Sequence, residues 1–364
     1  MDTETPCSRT EAEHLWSTRR HGQGIASTLA LGLGSLTSVM HGTRAHWVAA
    51  GGTTTSNIVP MGASSGPRSL TALVMGAGGL TGVSWSIGLL EGLRRQGALP
   101  DFDLLVGTSA GAAVAALLGV YADVGMLFDR ECEGRWQAPD VRTTADPSTI
   151  AQIFSAFVGE DGRPPVGEEL SSRLVQIGRL AKTVSSIGLQ TYNEEVGRYL
   201  GTDRWPAIEL LVTAVECDTG RLVVLSRDSG VDLATAVAAS SAVPGMMPVV
   251  KVMGRPLMDG GPLSPLHCDL LLNREVSRAL VVAPIAGTDP VFGNLVSSVI
   301  QRELADLRRS GVESLDIMAN QNDVEAMGGI DRMNRALRAA AARAGLERGM
   351  SEATRIAVLR ARDP

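Results

Sequence analysis

Apolar residues from Ser69 onward come in short runs that stop at glycines. Thr71-Ala72-Leu73-Val74-Met75 is one such run and predicts a buried strand; Val83 to Gln96 follows with helical spacing at Val83, Ile87, Leu90 and Arg94. Asp103 to Val106 repeats the strand pattern and leads through Gly107-Thr108-Ser109-Ala110-Gly111 into a small-residue helix, Ala112 to Leu118. Strand, glycine loop and helix, twice over, predict a parallel sheet covered on both faces.

About residues 129–200 read as a helical insert, in which Asp146-Pro147 supplies an N-cap with proline at the first helical position and Thr191 with Glu194 forms a capping box. Strands resume at Leu210 to Glu216 and Arg221 to Leu225, joined by the turn Asp218-Thr219-Gly220. A helix from Asp232 to Ser241, a short strand entering Asp259, an apolar strand from Leu280 to Ile285 and Ala-rich helices from about Asp331 to Arg362 complete the pattern. Within the insert, Ile150, Ile153, Phe154, Phe157 and Val158 make one stripe at helical spacing, either packed core or a cover for an apolar cleft or membrane surface.

Residues 1–68 break this texture: four of the five histidines (His14, His21, His41, His46) and a Gly/Ser/Thr-rich run from Gly51 to Gly66 lie there without a sustained period. The segment reads as a poorly ordered extension, with Met61 as an alternative working start. Arg19-Arg20, the mildly apolar Ile25 to Met40 and Val48-Ala49-Ala50 sketch an export signal, but Gly, Ser and Thr dilute it and Asp2, Glu4, Glu11 and Glu13 precede it. The expected organisation is therefore an extension, 1–68, and one domain, 69–364.

Composition narrows the function. With 44% hydrophobic and 20% charged residues in 364, the chain has ample material for a core. Thirty-three Lys and Arg against 39 Asp and Glu give a net charge of −6, so no basic field is present to hold a nucleic acid. Cys7, Cys132, Cys217 and Cys268 lie far apart with no C-x-x-C pair, which excludes a structural zinc and a dense disulfide framework; no metal or cofactor is expected. No apolar run approaches the roughly 20 residues of a membrane-spanning helix, so the expected location is cytoplasmic, with any membrane contact peripheral.

Three glycine sites carry the candidate chemistry. Ser109 sits at a strand-to-helix junction with Gly107 and Gly111 two residues either side, the spacing that a strained nucleophile elbow requires. Gly76-Ala77-Gly78-Gly79-Leu80-Thr81-Gly82 also links strand to helix, and its amides with the helix dipole suit an anion. A dinucleotide fingerprint fails at its third glycine, where Thr81 stands, and a GK[ST] loop is absent, so an oxyanion loop fits better. Asp259, followed by Gly260 and Gly261, is an acid at a strand end, a candidate base or a turn-former. A Ser/His/Asp triad would need His267, the one histidine beyond the extension; eight residues after Asp259 it is too close for the usual loop, so a Ser/Asp pair is favoured.

Leu73 to Gly82, Gly107 to Gly111, Ala238-Ala239-Ser240-Ser241-Ala242-Val243-Pro244 and Asp259-Gly260-Gly261, in this order, resemble the patatin-like phospholipase family. The resemblance implies a three-layer α/β/α sandwich with a central, mostly parallel sheet, a Ser109/Asp259 dyad, an oxyanion hole at Gly78, Gly79 and Leu80, and cofactor-free hydrolysis of lipid acyl esters. Two departures stand out. Thr81 replaces the family's usual Arg or Lys, removing a cation that could steady the loop or meet an anionic head group, and Pro262-Leu263-Ser264-Pro265 replaces an Asn-rich stretch. The rivals are a nucleotide-binding protein using Gly76 to Gly82 with Asp101 or Asp103 as the ribose acid, and a catalytically silent lipid-binding module.

Overall fold

The computed structural model describes residues 70–135, 147–157, 163–183, 189–285 and 293–360; the segment read as an extension lies outside them. In chain order the elements are β1 (Leu70–Met75), α1 (Gly79–Arg95), β2 (Leu104–Thr108), α2 (Ala110–Tyr121), α3 (Val124–Cys132), α4 (Pro147–Ser155), α5 (Gly167–Thr183), α6 (Leu189–Leu200), β3 (Glu209–Glu216), β4 (Leu222–Leu225), α7 (Leu233–Ser240), β5 (Val250–Val252), β6 (Arg255–Asp259), β7 (Val276–Ala283), α8 (Gly293–Arg309), β8 (Glu313–Met318), α9 (Gln321–Ala326) and α10 (Arg338–Ile356). The sheet runs β5-β6-β3-β2-β1-β7-β8, with β4 paired to β3. β3, β2, β1, β7 and β8 are parallel; β4 and β6 pair antiparallel to β3, and β5 antiparallel to β6.

The period of two along each strand divides the core between two faces. In β1, Leu73 and Met75 join the cluster under α1, α2, α7 and α10, whereas Ala72 and Val74 join the one that buries Ile300, Leu304 and Leu307 of α8. The result is the expected three-layer α/β/α sandwich. A smaller cluster sets Ile153 of α4 and Leu174 and Ile177 of α5 against Val215 of β3 and Met258 of β6.

α1 begins at Gly79, four residues before the predicted Val83, so the glycine loop is itself the first turn of the helix. Thr191 and Glu194 lie inside α6, which starts at Leu189, and Glu194 accepts from the Gln190 amide at 3.0 Å in place of capping. The proposed cap Asp146 lies outside the described residues.

α1 is buried along nearly its whole length because α10 crosses it at glycines. A Cβ on Gly88 would stand 1.9 Å from the Ala342 carbonyl oxygen, and one on Gly345 would stand 2.0 Å from that of Trp85. Such a crossing fixes two backbones in contact, with no side chain able to yield. At the same junction Arg338 of α10 forks onto buried Glu131 of α3 at 2.5 and 3.0 Å, so the charge that α10 buries is paired. Gly345→Val is expected to lower stability by at least about 1–3 kcal/mol, read as an earlier urea midpoint with unchanged slope.

Candidate active site

β2 pairs β3 as far as Thr108 opposite Thr213, and β6 takes the next rung with Asp259 opposite Ala214. The C-terminal ends of two strands far apart in sequence thus meet at consecutive residues of β3. Thr108 and Thr213 share a hydrogen bond of 2.8 Å beneath the junction.

Ser109 follows β2 with φ 55 and ψ −121, a left-handed φ that a residue with a Cβ adopts at a cost. Its neighbours explain why the turn is forced. A Cβ on Gly111 would lie 1.9 Å from the Met75 carbonyl oxygen at the end of β1, and one on Gly107 would lie 2.5 Å from the Ala112 Cα. The Ser109 amide donates to Ser240 Oγ at 2.8 Å, and the Ser109 carbonyl accepts from Ala112 N at 2.9 Å and from Ser241 Oγ at 3.3 Å. Ser240 and Ser241 therefore hold the elbow from the end of α7. Two hydroxyls closing an alanine-rich helix are the signal in the sequence from which this role could have been read.

Asp259 is 4% exposed. Its carboxyl lies beside the Ser109 hydroxyl, which favours its charge, and accepts the Gly261 amide through Oδ1 at 2.7 Å, while its own amide donates to Ala242 O at 3.0 Å. Burial disfavours the charge more than these two groups favour it, and the carboxyl is pushed up to about 6. Gly260 is required because a Cβ there would meet Thr213 Oγ1 at 2.6 Å.

The glycine loop faces the same point. Gly78 precedes the first turn of α1, and Gly79 and Leu80 open it, so their amides have no intrahelical acceptor by position. Gly79 takes φ 68 with its Cα against Arg332. Thr81 turns away from the cleft: fully buried, it donates through its amide to Arg332 O at 3.0 Å and through Oγ1 to Met327 O at 2.8 Å. Position 81 therefore steadies the loop by a hydroxyl and cannot meet a head group. Arg332 brings a guanidinium to the cleft wall, bonded to Gly329 O at 2.9 Å and Pro284 O at 3.3 Å, a contribution with no local signal in the sequence.

Ser109, Asp259, Gly78 and Gly79 line a cavity of about 270 Å³ whose remaining wall is mainly apolar and includes Ile153, Phe157, Val243 and Met246. Ile153 and Phe157 show that the insert's stripe reaches the cleft; the side chains of Ile150, Phe154 and Val158 lie outside those described. On the other side of Ser109 a second cavity of about 70 Å³ runs inward past Leu80, Val83, Ala113, Val196 and Val237.

His267 is buried with its Nε2 3.2 Å from Gly260 O, and burial lowers its pKa, so it is a neutral donor to that carbonyl. Asp103 accepts the Thr71 amide at 3.0 Å where β1 and β2 begin, at the opposite end of the sheet from the glycine loop. It cannot serve as a ribose acid for that loop. Among the described residues no three His, Cys, Asp or Glu side chains gather as a metal site, and no helix is long and apolar enough to cross a membrane.

Residues 73–272 match the patatin-like phospholipase family, more than half of the chain, and the protein belongs to that family. No curated protein sequence matches it. Among solved structures it is similar to VipD from Legionella pneumophila, with 15% identity, TM-score 0.39, and 79% of this chain and 67% of that one covered. It is also similar to the type III effector ExoU, with 15% identity, TM-score 0.33, and 80% and 54% covered. For full-length ExoU from Pseudomonas aeruginosa in complex with SpcU the figures are 16%, 0.30, 77% and 53%, so the chain spans about half the length of ExoU.

Thr81→Val keeps the shape of the side chain and removes the donor to Met327 O. Leaving that buried carbonyl unpaired is expected to cost about 1–3 kcal/mol, measured by urea unfolding, with cleft residues outside the loop unmoved.

Proposed function

We propose that the protein is a serine acyl hydrolase acting on acyl esters of lipids through a Ser109/Asp259 dyad. The observation that carries this reading is a buried serine hydroxyl and a buried carboxyl side by side in one apolar cleft, with first-turn amides that have no intrahelical acceptor lining it. Ser109 Oγ attacks the ester carbonyl while Asp259 accepts its proton. The amides of Gly78, Gly79 and Leu80 receive the oxyanion, each donor worth about 10² to 10³ in rate. The alcohol leaves with the proton, and water clears the acyl-enzyme by the same route.

Asp is a weak base for a serine hydroxyl, and the burial that brings Asp259 to about 6 narrows the gap. Because this pKa is raised, the ionised form is the disfavoured one in the fold: Asp259 contributes stability in acid and loses it as pH rises through 6. The apolar cleft suits acyl chains, and the inner cavity suits the few carbons next to the carbonyl, being about half the roughly 150 Å³ that holds a benzene. Ile330, 68% exposed at the cleft wall, suits contact with a lipid surface.

A fluorophosphonate should label Ser109, and Ser109→Ala should remove both labelling and ester hydrolysis; labelling elsewhere, or a silent protein that binds lipid without turnover, refutes the reading. Asp259→Asn should abolish turnover in protein that melts no earlier than wild type at pH 8, while folded His267→Ala should lose no more than about 10- to 100-fold, the cost of disturbing the segment it sits in; a folded His267→Ala as inactive as Ser109→Ala would overturn the dyad.

The acid limb of kcat/KM should have its midpoint near 6, since Asp259 accepts a proton only when ionised, with activity falling about tenfold per pH unit below. A limb set near 4 would show that Asp259 titrates as an ordinary carboxylate and that burial does not raise it.

A further inference from the structure

The two halves of the site, loop and acid turn, are joined by one short segment, Ser264 to Cys268. At one side Pro265 O accepts the Ala77 amide at 2.9 Å, and Leu266 fills the space against Gly76, where a Cβ would come within 2.7 Å of it. At the other side Gly260 O accepts from Leu263 N at 3.1 Å, Ser264 N at 3.2 Å and His267 Nε2 at 3.2 Å. The segment is held in a costly shape: His267 has φ 57 and is 1% exposed. A non-glycine residue stays in that region only where its surroundings over-determine it.

What over-determines it is Glu303 of α8. Ser264 Oγ accepts the amides of His267 at 2.8 Å and Leu266 at 3.2 Å, which uses both its lone pairs, and its own proton goes to the Glu303 carboxylate. The other carboxylate oxygen accepts the Cys268 amide at 2.9 Å. Glu303 thus clasps both ends of the segment from a helix beyond the residues that match the family. Burying a carboxyl is costly unless it is hydrogen-bonded, and both Glu303 oxygens are, to the two ends of this segment.

We propose that Glu303 is a positioning residue: acting through Ser264, it holds the Ser264–Cys268 arch, and the arch sets the glycine-loop amides at their working distance from the Ser109–Asp259 pair. This rests on the hydrolase reading for its kinetic consequence, though not for its structural one.

Glu303→Ala, Ser264→Ala and the double variant test it in the full chain. Displacing one half of the site by about 1 Å can cost 10²-fold in rate. Each single variant should therefore lower kcat on a soluble p-nitrophenyl ester, and the rate constant for fluorophosphonate labelling of Ser109, by about 10- to 100-fold with KM within about twofold. The double variant should be no slower than the slower single, because both act through one linkage. By hydrogen exchange, the peptides holding Gly76–Leu80 and Asp259–Gly261 should open faster in both variants, while the α1–α10 crossing is unchanged. Should Glu303→Ala fail to fold, Ser264→Ala, which removes one atom, decides alone. Unchanged labelling and exchange in folded Ser264→Ala overturn the proposal, as does a lower melting temperature with kcat per folded molecule intact. If the wild type neither labels nor turns over, the hydrolase reading falls, and the exchange result still decides the arch.

Discussion

The site depends on β2 and β6 ending side by side on β3. Thr108 opposes Thr213 and Asp259 opposes Ala214, so one residue step along a central strand separates the approach of the serine from that of the acid. Register in a buried strand is strongly specified, because a slip of one residue would turn every side chain to the other face. The hydroxyl-carboxylate contact inherits that precision from the sheet, with no need of a long or flexible side chain.

Around this point the fold spends its close contacts on backbone. Met75 O lies where a Cβ of Gly111 would be, Thr213 where one of Gly260 would be, and Trp85 O where one of Gly345 would be. The polar groups buried around the site have partners: Thr81 against the Met327 and Arg332 carbonyls, Ser240 against the Ser109 amide, Glu131 against Arg338, Glu303 against Ser264 and Cys268. Asp259 is less well compensated. The neighbouring hydroxyl and amide do not offset its burial, and its carboxyl is left near 6.

The elements that sequence pattern identified best were those with a strong local signature. The strands at Leu73 and Val106 were legible because apolar runs end at glycines, and the turn at Gly220 because a glycine there follows Asp-Thr between two strand-like runs. The start of α1 is hidden in the sequence, since glycines conceal a first helical turn: they carry no apolar period to count. The Thr191/Glu194 pair has the spacing of a capping box, yet Leu189 and Gln190 extend the helix through it. Thr81 was legible as a missing cation but not as a hydroxyl strap, because Met327 and Arg332 lie more than 240 residues away in the chain.

By itself the sequence determined which residues could do chemistry. Ser109 between Gly107 and Gly111, Asp259 before Gly260-Gly261, and a glycine run opening a helix are local facts, since turn strain, missing side chains and helix-end amides need no distant partner. Tertiary structure decided which of them meet. Only strand order brings Asp259 to Ser109, confines Asp103 to the far end of the sheet and turns His267 to Gly260. The serines, Arg332 and Glu303 that brace the site were invisible for the same reason: a side chain that acts by holding another segment has no local signature until the fold supplies its partner.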